Sequence, residues 1–316
     1  MKSLAELRLA SLLMVFLLAA NPSGVVHAGD AAPMRFADHP LSGRIFDVKR
    51  DAFVDEPELV ERLRGIRLVL VGEKHDNDEH HFIERRLLGR LVDNRTRVVF
   101  EMMDESQQPL IETLERGDAM EVIRDKLSWT DRWPWPDYGP LIRTVLERGG
   151  TIVAGNIDRE RIGTLYSGET GWLDDDPRFA SHDVLGHAGR EAFRERLYVS
   201  HCEVMPRESL DPMITIQTAR DASMAHAMLG NGDAGPPTRS ILVAGGFHTR
   251  RDLGVPAHIG FLDSKAETAI LLLREAEPGL SMPGDYDEVS TASADYLWFT
   301  PAAPEKDYCA DLVQGE

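Results

Sequence analysis

Five short apolar runs punctuate the chain: Leu68-Val69-Leu70-Val71, Val98-Val99-Phe100, Ile152-Val153-Ala154, Ile241-Leu242-Val243-Ala244 and Ala269-Ile270-Leu271-Leu272-Leu273. Each is continuous rather than alternating in polarity, as strands covered on both faces require. Between the first two, Ile83, Leu87, Leu88, Leu91 and Val92 form one apolar stripe and predict a helix over 78–91. Asp76 and Glu79 stand ahead of it at capping-box spacing. Further helices are predicted over 138–148 and over 56–64, the latter opened by Pro57, whose missing N–H costs nothing in a first turn. Strand and helix alternate. The pattern predicts an α/β fold, a mainly parallel β-sheet flanked by helices through right-handed crossovers.

Residues 156–239 lack any such run and show helical stretches near 157–165, 184–199 and 213–229, so they read as an inserted helical subdomain. The Gly- and Pro-rich segment 230–237 leads back to the sheet. The α/β domain therefore comes in two parts, 43–155 and 240–301. A flexible leader over 29–42 precedes it and a tail over 302–316 follows. Residues 44–48 are expected to form a first short strand, and Tyr296-Leu297-Trp298-Phe299 a last edge strand closed by Pro301.

The N-terminus changes the picture of where this domain works. Lys2 and Arg8 precede an apolar run from Leu9 to Ala20, and Val26-His27-Ala28 fits the small-x-small rule of signal peptidase. The run is too short for a membrane-spanning helix, which needs roughly 20 residues. Residues 1–28 are thus expected to be a cleaved signal peptide, with export to the periplasm after cleavage near Ala28 and no stable span in the mature chain. The net charge of −18 repels phosphate backbones and argues against nucleic acid as a partner. The 2 cysteines, Cys202 and Cys309, are a disulfide candidate in an oxidising compartment, and without a CxxC motif thioredoxin-like chemistry is excluded.

In parallel sheets, ligands bind beyond the carboxyl ends of the strands. There the sequence places Gly72-Glu73-Lys74-His75-Asp76, then Glu101-Met102-Met103-Asp104, then Gly245-Gly246-Phe247-His248-Thr249-Arg250. Glu73, His75, Glu101 and His248 thus converge from three strands. Two imidazoles and two carboxylates suit a divalent metal or an acid–base pair. Arg220 and Asp221, on a helix of the insertion, are placed to support them, with Arg250 beside His248. Of His80 and His81, at least one is expected to face solvent. Trp129, Trp133, Trp135 and Tyr138 form an aromatic loop, either packed on the core or walling a flat ligand. Nucleotide loops, HExxH and GxSxG are all missing from the sequence.

These blocks, with Trp133-Pro134, Tyr138 and Pro140, resemble the ChaN-like haem-binding uptake proteins, as does the segment from Gln217 to Ala225. The matching blocks run in order from about Gly43 to Thr300. The resemblance implies an iron- or haem-related envelope protein holding haem, its favoured cofactor, through a tyrosine at the interface of a homodimer. It also implies kinship with the Tiki and erythromycin-esterase-like superfamily, whose Gly-x-x-His motifs match at Gly72 to His75 and Gly245 to His248. There they go with metal-dependent or acid–base hydrolysis, with Glu101 as the second-strand glutamate. The haem tyrosine has no motif to place it. Tyr138, Tyr166 and Tyr198 remain candidates, and Tyr166 suits best because Arg159 and Arg161 lie one and two turns back and a cation stabilises a phenolate. Without a cysteine near the cleavage site, a free periplasmic protein is expected rather than a lipoprotein.

Overall fold

The computed structural model describes residues 33–230 and 238–313. The expected signal peptide, the start of the leader and nearly all of the Gly- and Pro-rich linker lie outside them. The strands are β1 (Ile45–Asp47), β2 (Ala52–Val54), β3 (Leu68–Glu73), β4 (Thr96–Asp104), β5 (Thr151–Asn156), β6 (Arg239–Gly245), β7 (Thr268–Glu275) and β8 (Tyr296–Thr300). They join one 8-stranded sheet in the order β2-β1-β8-β7-β3-β6-β4-β5. All five apolar runs become neighbours in its parallel part, with β3, β6 and β4 at the centre.

Two strands depart from expectation. The segment Tyr296–Thr300 is interior, because the N-terminal strand β1 supplies its outer partner, with Ile45 opposite Trp298. The hairpin strand β2 escapes the sequence reading because Ala52 and Phe53 are exposed and no apolar run marks it.

The principal helices are α1 (Glu56–Arg64), α2 (Asp78–Leu91), α3 (Trp135–Arg148), α4 (Arg159–Tyr166), α5 (Gly186–Ser200), α6 (Asp211–Leu229) and α7 (Val255–Leu262). Asp55 caps α1 by accepting the Glu58 N–H at 2.8 Å. For α2 the cap is Asn77, whose side chain accepts from Glu79 and His80, not the expected Asp76. The reason is a turn at Lys74–Asn77 that holds Asp76 outside the helix and against the Lys74 ammonium.

Alternate residues of each strand feed opposite cores, as the period of two dictates. Val69, Val71, Val98, Phe100, Ile241 and Val243 pack with α1, α2 and α3. Leu68, Leu70, Val99, Leu242 and Ala244 pack with Met224, Ala225 and Met228 of α6 and with Val255 and Ile259 of α7. The final helix of the insertion is therefore part of the second layer of the sheet. Each fully buried Leu, Ile or Val in these layers contributes roughly 1.5–3 kcal/mol, against about 0–1 kcal/mol for an exposed ion pair. The layers hold the fold.

The leader is less free than expected: Arg35 and Ala302 exchange backbone hydrogen bonds at 2.8 Å, and Leu41 is buried in the second core. A disulfide joins Cys202 after α5 to Cys309 in the tail, Cα–Cα 5.7 Å. Among the described residues, no helix is long and apolar enough to cross a membrane.

Candidate functional site

The central register sets the site. Parallel pairing places Glu73, the last residue of β3, beside Gly245, the last residue of β6. From the neighbouring β4, Glu101 accepts the Gly245 N–H at 2.7 Å. Glycine at 245 leaves room for the imidazole, since a Cβ there would stand 2.8 Å from His75 Nε2 and push it aside. The next turn, Gly246–Thr249, carries His248 back over the same edge. Glu73, His75, Glu101 and His248 meet: His75 Nδ1 is 2.8 Å from Glu73, its Nε2 is 3.8 Å from Glu101, and His248 Nε2 is 3.5 Å from Glu101.

Two linked groups make up this centre. In the first, Glu73 Oε1 accepts from the Tyr138 hydroxyl at 2.9 Å and from His75 Nδ1. His81 Nδ1 stands 3.0 Å from Glu73 Oε2 and 3.4 Å from Glu84 Oε2. Burial opposes charge on His75, but Glu73 and Glu101 outweigh it and raise its pKa to about 9. Burial is likewise outweighed at His81, which Glu73 and Glu84 raise to about 11. Glu73 itself is held well below the ordinary carboxylate range, its burial offset by His75 and then His81. Burial, and then the charge of Glu73, push Glu84 up to about 8.

In the second group, Arg220 reaches in from α6. It donates to Glu101 Oε1 in a short contact and, through Nε, to Asn156 at 3.0 Å. His248 Nδ1 donates to Asp221 at 2.6 Å, which fixes the tautomer and leaves Nε2 facing Glu101. Burial would raise Glu101; His248, Arg220 and His75 hold it instead at about 2. Burial pushes Asp221 up, and His248 offsets this only in part. This half is an oriented imidazole beside a fixed guanidinium and suits proton transfer or the binding of an anion. A divalent cation shared by all four expected residues does not fit, because both Glu101 oxygens are engaged and Arg220 would repel it.

Access is narrow. The His75 side chain is 36% exposed and stacks on Trp133, while Glu73, Glu101 and His248 are buried. A macrocycle finds no room among them, so any haem must lie outside this centre.

Several expected residues do not join it. Arg250 is buried but grips Asp252 and Asp287. The aromatic loop packs on the core, where Trp129, Trp133 and Trp135 surround Tyr138. Tyr138 is wholly buried, and its pKa is driven far up by burial and then by Glu73, so it is no phenolate ligand. Arg161, one of the two cations expected beside Tyr166, turns to Glu105, Asp176 and the Trp172 ring. The Arg207 guanidinium lies over the Tyr198 ring, 3.6 Å from its centre, but it too is engaged, paired with both oxygens of Glu195. His80 and His81 are both buried, contrary to expectation. His80 accepts the Lys74 N–H and donates to Thr300, and burial lowers its pKa to about 4.

Sequence reasoning missed Glu84 and the inward turn of His81. The signal was present: His80, Ile83, Glu84, Leu87, Leu88 and Leu91 share one helical face, so a charged residue sits in core register.

A mostly parallel sheet carrying a buried carboxylate–imidazole centre at the carboxyl ends of β3, β4 and β6 defines the class. Within it, the family of haem-binding uptake proteins of the Tiki superfamily, ChaN, matches residues 59–259. This chain belongs to that family. The fold is similar to the structure described as cofacial heme binding to ChaN of Campylobacter jejuni, with a TM-score of 0.65 and 20% identity over 80% of this chain and 95% of that one. The type III effector HopBA1 aligns at a TM-score of 0.40 and 13% identity, over 77% of this chain and 92% of that one. No curated protein matches the chain by sequence.

Proposed function

We propose that this protein is exported to the periplasm, binds haem and holds or passes it during iron uptake. Membership of the haem-binding uptake family across residues 59–259 carries the reading. The likeness to the ChaN fold, a relative whose structure is described with haem, supports it. The haem ligand is assigned outside the buried centre, to one of the half-buried tyrosines Tyr166 and Tyr198, since a phenolate is a good ligand to Fe(III). Bound there, haem supplies an Fe(III) centre for an anionic oxygen ligand. Tyr198 and Tyr166 are both half-buried helix residues, which allows a direct comparison. Titration of the purified protein with hemin is expected to shift the Soret band at a stoichiometric ratio. One of Tyr166→Phe and Tyr198→Phe should weaken binding at least tenfold and the other should not, which identifies the ligand. No Soret shift with well-folded protein would end the proposal.

One observation favours a second reading, that of an acid–base hydrolase: His248 is oriented by Asp221 and flanked by Arg220. In it His248 takes a proton from water and Arg220 stabilises the developing oxyanion. Hydrolysis of model esters or peptides that His248→Ala abolishes is the expected result. Turnover unchanged in that variant would rule it out.

A further inference from the structure

The first half of the buried centre contains a group that neither haem binding nor the His248–Asp221 pair uses. On α2, His81 and Glu84 stand at i and i+3, so both face the sheet edge, where Glu73 ends β3. One nitrogen of His81 and one carboxylate oxygen each of Glu73 and Glu84 all lie within 4.8 Å of one another, and all three residues are buried.

The tautomer of His81 sharpens this. Its Nε2 lies 3.2 Å from the His75 carbonyl oxygen, which can only accept, so Nε2 carries a hydrogen. Nδ1 is left facing two carboxylates, 3.0 Å from Glu73 Oε2 and 3.4 Å from Glu84 Oε2. For bonds of about 2.0–2.1 Å, two ligand atoms of a tetrahedral site stand roughly 3.3–3.4 Å apart. The observed separations fall at that edge length, within a few tenths of an ångström.

Two oxygens here point independently to something missing. Glu84 Oε1 is buried without a hydrogen-bond partner. Glu73 Oε2 also has none, since its contact with His81 is close but out of line for a hydrogen bond. A buried oxygen left without a hydrogen-bond partner costs about 1–3 kcal/mol, and a cation held between Glu73 and Glu84 would give both oxygens a partner. Tyr138 and His75 hold the other oxygen of Glu73 and orient the carboxylate, as residues behind a metal ligand do.

We propose that Glu73, His81 and Glu84 form a binding site for one first-row divalent cation, with Zn2+ as the representative probe. The ligands are two carboxylate oxygens and His81 Nδ1. Binding displaces the proton on Nδ1 and the proton on Glu84 and returns both to solvent, and the cation then balances the paired carboxylates. The site is separate from Glu101, which Arg220 holds, from His248, which Asp221 holds, and from the haem ligand. It does not depend on the function proposed above.

The test uses haem-free, chelator-treated protein. Titration with Zn2+ and elemental analysis after gel filtration should give about one ion per chain. Co2+ in place of Zn2+ should give the visible bands of a four- or five-coordinate site. Glu84→Gln, which keeps shape and volume, should weaken Zn2+ binding at least tenfold, while His248→Gln should still bind one ion. Zn2+ should also raise the melting temperature of the wild type and not that of Glu84→Gln. Wild-type protein that retains no stoichiometric metal and shows no Co2+ bands overturns the proposal, whatever the variants do. So does a site lost with His248→Gln but kept in Glu84→Gln, which would put the ion in the other half. Hemin titration is a separate measurement, so its failure and this one are distinguishable.

Discussion

Glu101→Gln is the most informative single substitution in the second half of the centre. The amide keeps the size of the side chain and can still accept the Gly245 N–H, but it leaves the Arg220 guanidinium buried without a charge partner. Removing one member of a buried ion pair costs about 3–5 kcal/mol. The pKa gives a second route to the magnitude. Glu101 titrates at about 2 in the folded protein against an ordinary 4.5, which at about 1.4 kcal/mol per unit is roughly 3 kcal/mol. A depressed carboxylate stabilises the fold above its unfolded value and loses that contribution as pH falls through its folded value. The window is therefore from about pH 4.5 down to about 2. Urea unfolding followed by tryptophan fluorescence should show Glu101→Gln less stable by roughly 3 kcal/mol at neutral pH. Near pH 3 the difference should shrink to less than half. Adding Arg220→Met should recover part of the loss, because the orphaned guanidinium is then gone. A neutral-pH difference under about 1 kcal/mol, or one that does not change with pH, would refute the account of Glu101 as the counter-charge of Arg220.

Three further outcomes are expected. His75 and His81 have raised pKa values of about 9 and about 11, so their contribution is full below 6.5 and is lost as pH rises through those values. The melting temperature of metal-free protein should fall between about pH 6.5 and 11, and His81→Gln should flatten the upper part of that fall. Replacing Cys202 and Cys309 with alanine frees a loop with a sequence separation of 107 and should cost up to about 5 kcal/mol in the chain-entropy model, measured by urea unfolding. Gly254→Ala would place a Cβ 2.1 Å from the His248 carbonyl oxygen, a backbone atom that cannot step aside. That variant should lose at least about 1–3 kcal/mol, and a thermal shift of zero would count against the packing described.

The parallel centre of the fold was legible because strands buried on both faces must be continuously apolar, and β3, β4, β6 and β7 are. The convergence of Glu73, Glu101 and His248 followed from the same strands, since their ends share an edge. What stayed hidden depends on partners that no local pattern specifies. The interior position of β8 required knowing that β1 would pair with it from the other end of the chain. Glu84 stands in core register on the stripe of α2, but its counter-groups, His81 and Glu73, come together only when α2 docks on β3. Arg250 followed His248 in sequence, yet its guanidinium answers to Asp252 and Asp287, which its motif does not foretell.

The pairing of β1 with β8 has a consequence for how the molecule is assembled. The hairpin made first by the chain cannot take its place until the last strand has been laid against β7. The pairing of β7 with β8 is local in sequence, but β3 with β7 and β1 with β8 both join distant segments, and such contacts are slow to form. Until β1 docks, the outer edge of β8 is bare, and that edge is where a second chain would stick during refolding.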